Sequence, residues 1–400
     1  MITGVTINFT NTTTGQASSN DGVALIVAAF AAEQTSTLTI GQLYKLTSVQ
    51  DLITAGWPST ADFGTARSNL YQQVADFYSV APQGTILYVY PILQSNLATF
   101  IPDTTSAGFG AMLRSTGVDS LGNPNPTDRA KMVGILFPIL EENPGNPYAE
   151  GVETTAQAVD TALGTLFDAG CRCCAIIDGA QCDYTEAPDW NTYDMSRTAI
   201  MDCTIHNGVK NGDVGLVLGY LCANTVNFDL SNVMEAQISS PGAYFTNGTS
   251  VATLAPADFD TLGQKQHLFY RTRDTKAGFF FNDSPTCAPS TQALSTLPAN
   301  RVLIKVADYL QTFLTNYLGQ TPPLDDNGNV TAGYLSAMEE QFMSTYITPM
   351  ITDGEISNAS ITISNDSPFS STRTLKANVQ ILQRPGIAQI EADITFVTAL

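Results

Sequence analysis

Seven cysteines and two histidines are the residues of this chain best suited to metal or nucleophilic chemistry. Cys171, Cys173 and Cys174 are close neighbours, with Cys182 and Cys203 further along. Thiolates gathered with an imidazole from His206 or His267 would make a zinc site, and a thiol beside a histidine would make a nucleophile pair. The run Cys171 to Asp178 (CRCCAIID), however, has the composition of a strand. Alternation sends Cys173 and Cys174 to opposite faces, so they do not share one tetrahedral site. No local signature of a cysteine nucleophile surrounds any thiol. The number is odd, and the expected role is that of free, small, buried hydrophobes.

Other chemical motifs fare no better. Gly108-Phe109-Gly110 lacks the third glycine of a dinucleotide loop and follows no close strand. Asp325-Asp326-Asn327-Gly328-Asn329 has calcium-loop composition, but its glycine is misplaced and Ser336 stands where a bidentate Glu would be. It reads as an Asn-Gly turn. Glu141-Glu142 and Glu339-Glu340 read as solvated surface. No catalytic, cofactor-binding or metal residue is assigned, and no cofactor is expected. Two basic pairs stand out in so acidic a chain: Arg271 with Arg273 on a strand, and Arg301 with Lys305 four apart on a helix. They serve either local salt bridges or attachment to an acidic patch on a neighbour.

The elements around these residues form two regions. Val23–Phe30, Thr85–Ile92, Lys131–Leu140, Cys171–Asp178 and Asp213–Cys222 read as strands. Ser48–Ala55, Thr65–Tyr78 and Glu153–Ala169 read as helices, the last closed by Gly170. Strands separated by helices predict an α/β domain with a parallel or mixed sheet. From about residue 230 the character changes. Gln264–Asn282 predicts a hairpin, Asn300 caps an amphipathic helix over 301–318, and Tyr334–Met350 predicts another helix. This second region is α+β. The expected division is 1–20 arm and linker, 21–285 outer domain and 286–400 inner domain.

Both chain ends alternate with period two. Val5, Ile7 and Phe9 stand against Thr6, Asn8 and Thr10, and a polar tract, 11–20, separates them from the body. Leu375, Val379 and Ile381 stand against Lys376, Asn378 and Gln380, and Ile390, Ile394 and Phe396 continue after a Gln-Arg-Pro-Gly turn. Terminal strands on polar tethers suit addition to another subunit's sheet, so a self-assembling protein is expected. Composition agrees. Charged residues are 14%, below the usual quarter, and Ser, Thr, Asn and Gln replace them on a surface suited to burial by like subunits. A net charge of −20 argues against binding nucleic acid or anionic membrane. The longest apolar run, Val23 to Ala32, is too short to span a bilayer. No export signal is seen, so assembly in a cytoplasm is expected.

In order along the chain, Asp21–Phe30 (DGVALIVAAF), Leu46–Gly56 (LTSVQDLITAG) and 66–92 (ARSNLYQQVADFYSVAPQGTILYVYPI) precede 267–287 (HLFYRTRDTKAGFFFNDSPTC), 300–314 (NRVLIKVADYLQTFL) and 386–400 (GIAQIEADITFVTAL). This series resembles the contractile tail sheath proteins of phages and related injection machines. The resemblance is one of pattern over most of the chain, and 95–260 adds little. It implies an outer α/β domain, an inner α+β domain facing a tail tube, and terminal β-strand arms exchanged between subunits. Val5, Ile7, Phe9, Leu375, Val379, Ile381, Ile390, Ile394 and Phe396 would be the arm contacts, and Arg301 and Lys305 would touch the tube. Implied partners are further copies in a helical stack of hexamers, an inner tail tube protein, and baseplate and tail terminator proteins. The particle would be a virion tail or contractile machine built in a bacterial cytoplasm. A non-contractile surface or tail-tip adhesin is the competing reading, and a cysteine- or metal-dependent enzyme a distant third.

Overall fold

The structure is a computed structural model that describes residues 21–31, 38–62, 69–105, 107–118, 128–138, 146–274, 276–365 and 368–384. Its first core is built on a six-stranded sheet. Strand β1 (Ala24–Phe30) is buried along its whole length, as a strand covered on both faces must be. After it come β2 (Tyr44–Leu46), α1 (Val49–Thr54), α2 (Leu70–Val80), β3 (Leu87–Leu93), α3 (Gln94–Phe100), α4 (Phe109–Ser115), β4 (Met132–Leu136), α5 (Val152–Asp168), β5 (Cys174–Asp178) and β6 (Thr198–Met201). The sheet order is β2-β3-β1-β4-β5-β6. β3, β1, β4, β5 and β6 run parallel, and β2 closes the edge antiparallel to β3. This is the α/β architecture expected from the alternation of strands and helices. Gly170 lies in the left-handed region (φ 80°) just past α5, where a helix end favours glycine.

The segment expected to be a fifth core strand is a helix instead. α6 (Val214–Ala223) follows β7 (Cys203–Thr204) and is buried on nearly every side. A short apolar run carries no periodicity that separates a buried strand from a buried helix. Two glycines one turn apart show why the helix fits. A Cβ at Gly215 would stand 1.9 Å from the Gln73 carbonyl oxygen, and one at Gly219 would stand 2.7 Å from that of Phe77. α2 and α6 therefore pack backbone against backbone. Gln73 also seals the start of α6: its Nε2 donates to Gly212 O (2.9 Å) and its Oε1 accepts from Gly215 N (2.6 Å).

Smaller sheets follow. β8 (Gln237–Ile238) pairs with β11 (Lys276–Phe281), which forms the expected hairpin with β10 (Tyr270–Arg273). β9 (Tyr244–Phe245) pairs with β7, and α7 (Pro256–Gln264) precedes the hairpin. The long helix α8 (Leu297–Thr315) starts earlier than expected. Thr296 is its N-cap, accepting from Ala299 N, while Asn300 lies inside the helix and bonds to Leu294 O and Thr296 O. α9 (Ala332–Phe342), a wide π-type turn (Met343–Ile347) and α10 (Thr348–Thr352) follow. The chain then forms β12 (Asn358–Asn365), α11 (Phe369–Thr372) and β13 (Leu375–Leu382).

Two apolar cores result. The first gathers the six-stranded sheet and its helices, with Leu297, Ile304 and Ala307 of α8. The second is made by the other side of α8 (Val302, Val306, Leu310 and Phe313) with α9, α10 and the β12–β13 hairpin. Among the described residues no helix is long and apolar enough to cross a membrane.

Burial raises several carboxyl groups. Asp178 at the end of β5 accepts from Phe137 N, Gly212 N and Asn211 Nδ2, yet desolvation pushes it up to about 7. Glu355, wholly buried, is likewise pushed up to about 7 by desolvation. Both values lie above those of the unfolded chain, so the folded state holds more protons between about pH 4 and about pH 7. Stability contributed by these groups is lost as pH rises through that window. The thermal midpoint is expected to be higher at about pH 6 than at about pH 8, with Glu355→Gln flattening the slope; calorimetric scans check this.

Candidate functional site

α8 carries a charged stripe between its two apolar faces. Arg301, Lys305 and Asp308 recur at helical spacing, one above the other. The Arg301 guanidinium donates to the carbonyls of Leu221 (2.6 Å), Thr225 (3.0 Å) and Asn224 (3.3 Å). It thereby closes the carbonyl end of α6, where a cation is favoured. Lys305 pairs with Asp21. Asp308 receives Lys131 and, at 2.8 Å, Arg172, which also reaches Gln311 Oε1 at 2.7 Å.

Asp21 is the first described residue, three positions before β1. Burial pushes its carboxyl up and the Lys305 ammonium down, and their mutual attraction resists both shifts. Glu355 belongs to the same charge cluster, its field shared with Lys305, Asp21 and Arg301. The neighbouring Gly354 O accepts from Arg384 at 3.3 Å and from Asn227 Nδ2 at 3.1 Å. Arg384 is the last described residue. The first and last described residues thus lie beside the neighbouring positions 355 and 354: Asp21 in the charge cluster with Glu355, and Arg384 on the carbonyl of Gly354.

The adjoining hairpin has unequal edges. β12 and β13 pair antiparallel over their full length, from Asn358 opposite Leu382 to Asn365 opposite Leu375. The far edge of β12 is covered: Ile363 N donates to Glu339 Oε1 of α9 (2.6 Å), and Asn365 bonds both ways with Val330. The far edge of β13 has no strand beside it among the described residues. An edge of this kind is a template for further pairing.

A family model described as DUF2586, N-terminal domain, matches residues 2–285. The chain belongs to the DUF2586 family. No curated protein matches this DUF2586 member by sequence. Solved structures match it end to end. A chain of the anti-feeding prophage baseplate is similar at 12% identity and TM-score 0.62, over 100% of this chain and 99% of that one. The anti-feeding prophage helical sheath in the contracted state is similar at 13% and 0.62, over 98% of each. A sheath complex of the extracellular contractile injection system PVC, also contracted, gives 11% and 0.59, over 100% and 98%. The DUF2586 chain therefore has the fold of contractile sheath proteins.

The expected site residues fall into three groups. Val5, Ile7, Phe9, Ile390, Ile394 and Phe396 lie outside the described residues. Leu375, Val379 and Ile381 do share one face, but in a hairpin with their own β12 and against the second core. For these three, the side chains pack within their own chain. Arg301 and Lys305 are each only 3% exposed. The expectation that they form a surface patch for a tube is corrected: an apolar face on both sides of α8 buries the stripe between them. Arg271 and Arg273 lie over the rings of Phe259 and Phe280. All seven cysteines are free, and six are buried. The glycines of 108–110 serve packing, since a Cβ at Gly110 would stand 2.2 Å from Thr104 O. Asp325 Oδ1 accepts from Asn327 N and Asn329 N (both 2.9 Å), the turn expected there.

Removing one partner of a buried pair strands the other charge. Lys305→Met is expected to lower unfolding free energy by about 3 kcal/mol, with Asp21→Asn in the same chain recovering part of it. Urea denaturation of both variants measures the coupling.

Proposed function

We propose that this chain is the structural, non-enzymatic subunit of a contractile tail sheath. Copies polymerise as a helical stack of hexameric rings around a tail tube, and contraction drives the tube through a target envelope. The observation that carries this reading is the end-to-end likeness to a contracted helical sheath, covering 98% of both chains. The inner tube protein is the proposed internal partner, with baseplate and terminator proteins at the ends of the stack, and assembly takes place in a bacterial cytoplasm. In this reading residues 21–285 form the outer domain and 286–400 the inner one. The two apolar cores sharing α8 agree with a division near its start.

The terminal segments make the lattice. Ordering an arm costs roughly 1–2 kcal/mol per residue, while each ladder hydrogen bond returns only about 1 kcal/mol net. Backbone pairing alone does not hold an arm. Burial of Val5, Ile7 and Phe9, at roughly 1.5–3 kcal/mol each, tips the balance. The same holds for Ile390, Ile394 and Phe396. Asp21 pairs with Lys305, Arg384 bonds to the carbonyl of Gly354 beside Glu355, and β13 has no strand on its far edge among the described residues; in this reading the arms depart from there and that edge takes an incoming strand. The polar tract 11–20 lets subunits rotate and shift while the strands stay paired.

Deleting residues 1–20 is expected to leave a folded protein that forms no tubes. Negative-stain microscopy of the intact chain should show hollow tubes, and of the truncated chain none. Normal tubes from the truncation would sink the arm assignment, and their absence from the intact chain under all ionic conditions would sink the sheath reading itself.

A further inference from the structure

One cluster of ionisable side chains lies apart from α8 and has no part in the assembly argument. Asp76 on α2, His206 just after β7 and Asp213 at the N-cap of α6 each offer a ligand atom, and these atoms lie within 4.8 Å of one another. Among the described residues no other trio of His, Cys, Asp or Glu does so. Asp213 is fully buried, Asp76 nearly so, and the His206 side chain is 27% exposed, which leaves one side open to solvent.

The surroundings hold the carboxylates in place. Asp213 Oδ1 accepts from Thr204 Oγ1 (2.7 Å), and its Oδ2 accepts from Ile205 N (2.7 Å) and Tyr270 OH (2.9 Å). Asp76 Oδ1 accepts from Gln72 Nε2 (3.0 Å), while its Oδ2 faces His206 Nε2 at 2.9 Å. Outer hydrogen bonds of this kind fix the direction of ligating carboxylates in metal sites. The donors come from α2, the loop after β7 and the start of α6, held by the close approach at Gly215.

Charge decides what belongs between them. Two carboxylates and one neutral imidazole carry two negative charges in a buried site. Neutrality requires two bound protons or one divalent cation. We propose that Asp76, His206 and Asp213 bind one divalent first-row transition-metal ion. One imidazole nitrogen and two carboxylate oxygens suit Zn2+ or its neighbours in that row better than Ca2+, which asks for six to eight oxygens. Solvent completes the coordination on the open side of His206. A metal ion binds carboxylates and imidazole only in their deprotonated forms, so affinity rises with pH. The ion would clamp α2 to the start of α6, on the face of the sheet where Val214 and Leu218 lie against Gly134.

The test is calorimetric titration of the full, chelator-treated chain with ZnCl2 at about pH 6 and about pH 8. One ion per chain, bound more tightly at the higher pH, is expected, together with a rise in thermal midpoint. His206→Ala and Asp76→Asn should each weaken binding by roughly tenfold or more. No binding at either pH overturns the proposal, as does equal affinity in His206→Ala, which would mark scattered surface carboxylates. Should either variant fail to fold, Co2+ bound to the unaltered chain serves instead. Absorption typical of nitrogen and oxygen ligands supports the site, and thiolate-to-metal charge transfer overturns it by assigning the ion to cysteine.

Discussion

A cation placed inside a protein must be matched where it lies, and α8 brings two such cations, Arg301 and Lys305, into the interior. Arg301 is matched by the carbonyl end of α6, and Lys305 by Asp21. This fixes more than a helix. α6 is the buried partner of α2 beneath the sheet, Asp21 precedes the first core strand, and Glu355 leads into the hairpin. One stripe of α8 therefore lies between the two apolar cores and holds the first described residue, Asp21. Breaking such a cluster is expensive, because each lost partner leaves a charge in a medium that solvates it poorly.

In the sheath proposed above, the subunit would move as a body. Its two apolar cores share α8, so one helix couples them. The fold itself is that of chains found in contracted sheaths, matched over nearly the whole length.

Much of the framework was legible in sequence. The β1 run, the pattern of α5 with Gly170 behind it, and the β10–β11 hairpin announce themselves by period and punctuation. α6 did not, because burial on every side erases periodicity, and only the Gly215 to Gly219 spacing hinted at a helix packed on a helix. β12 escaped because Asn, Ser and Thr dominate its exposed face. The burial of Arg301 and Lys305 could have been suspected from α8 itself: Leu297, Ile304 and Ala307 lie to one side of the stripe, and Val302, Val306 and Leu310 to the other. A helix with apolar flanks around its charges is covered twice. The identities of the partners were beyond reach, since Asp21 is 284 positions from Lys305 and Asp76 is 130 from His206.

The cysteines described above have one more consequence. Burial raises the thiols of Cys173, Cys174, Cys182, Cys203, Cys222 and Cys287, which suppresses the reactive thiolate form. Sulfur held as a buried thiol is a poor nucleophile for disulfide exchange or oxidation. If such chains build the proposed particle, these buried thiols would add little dependence of its state on the redox history of its surroundings.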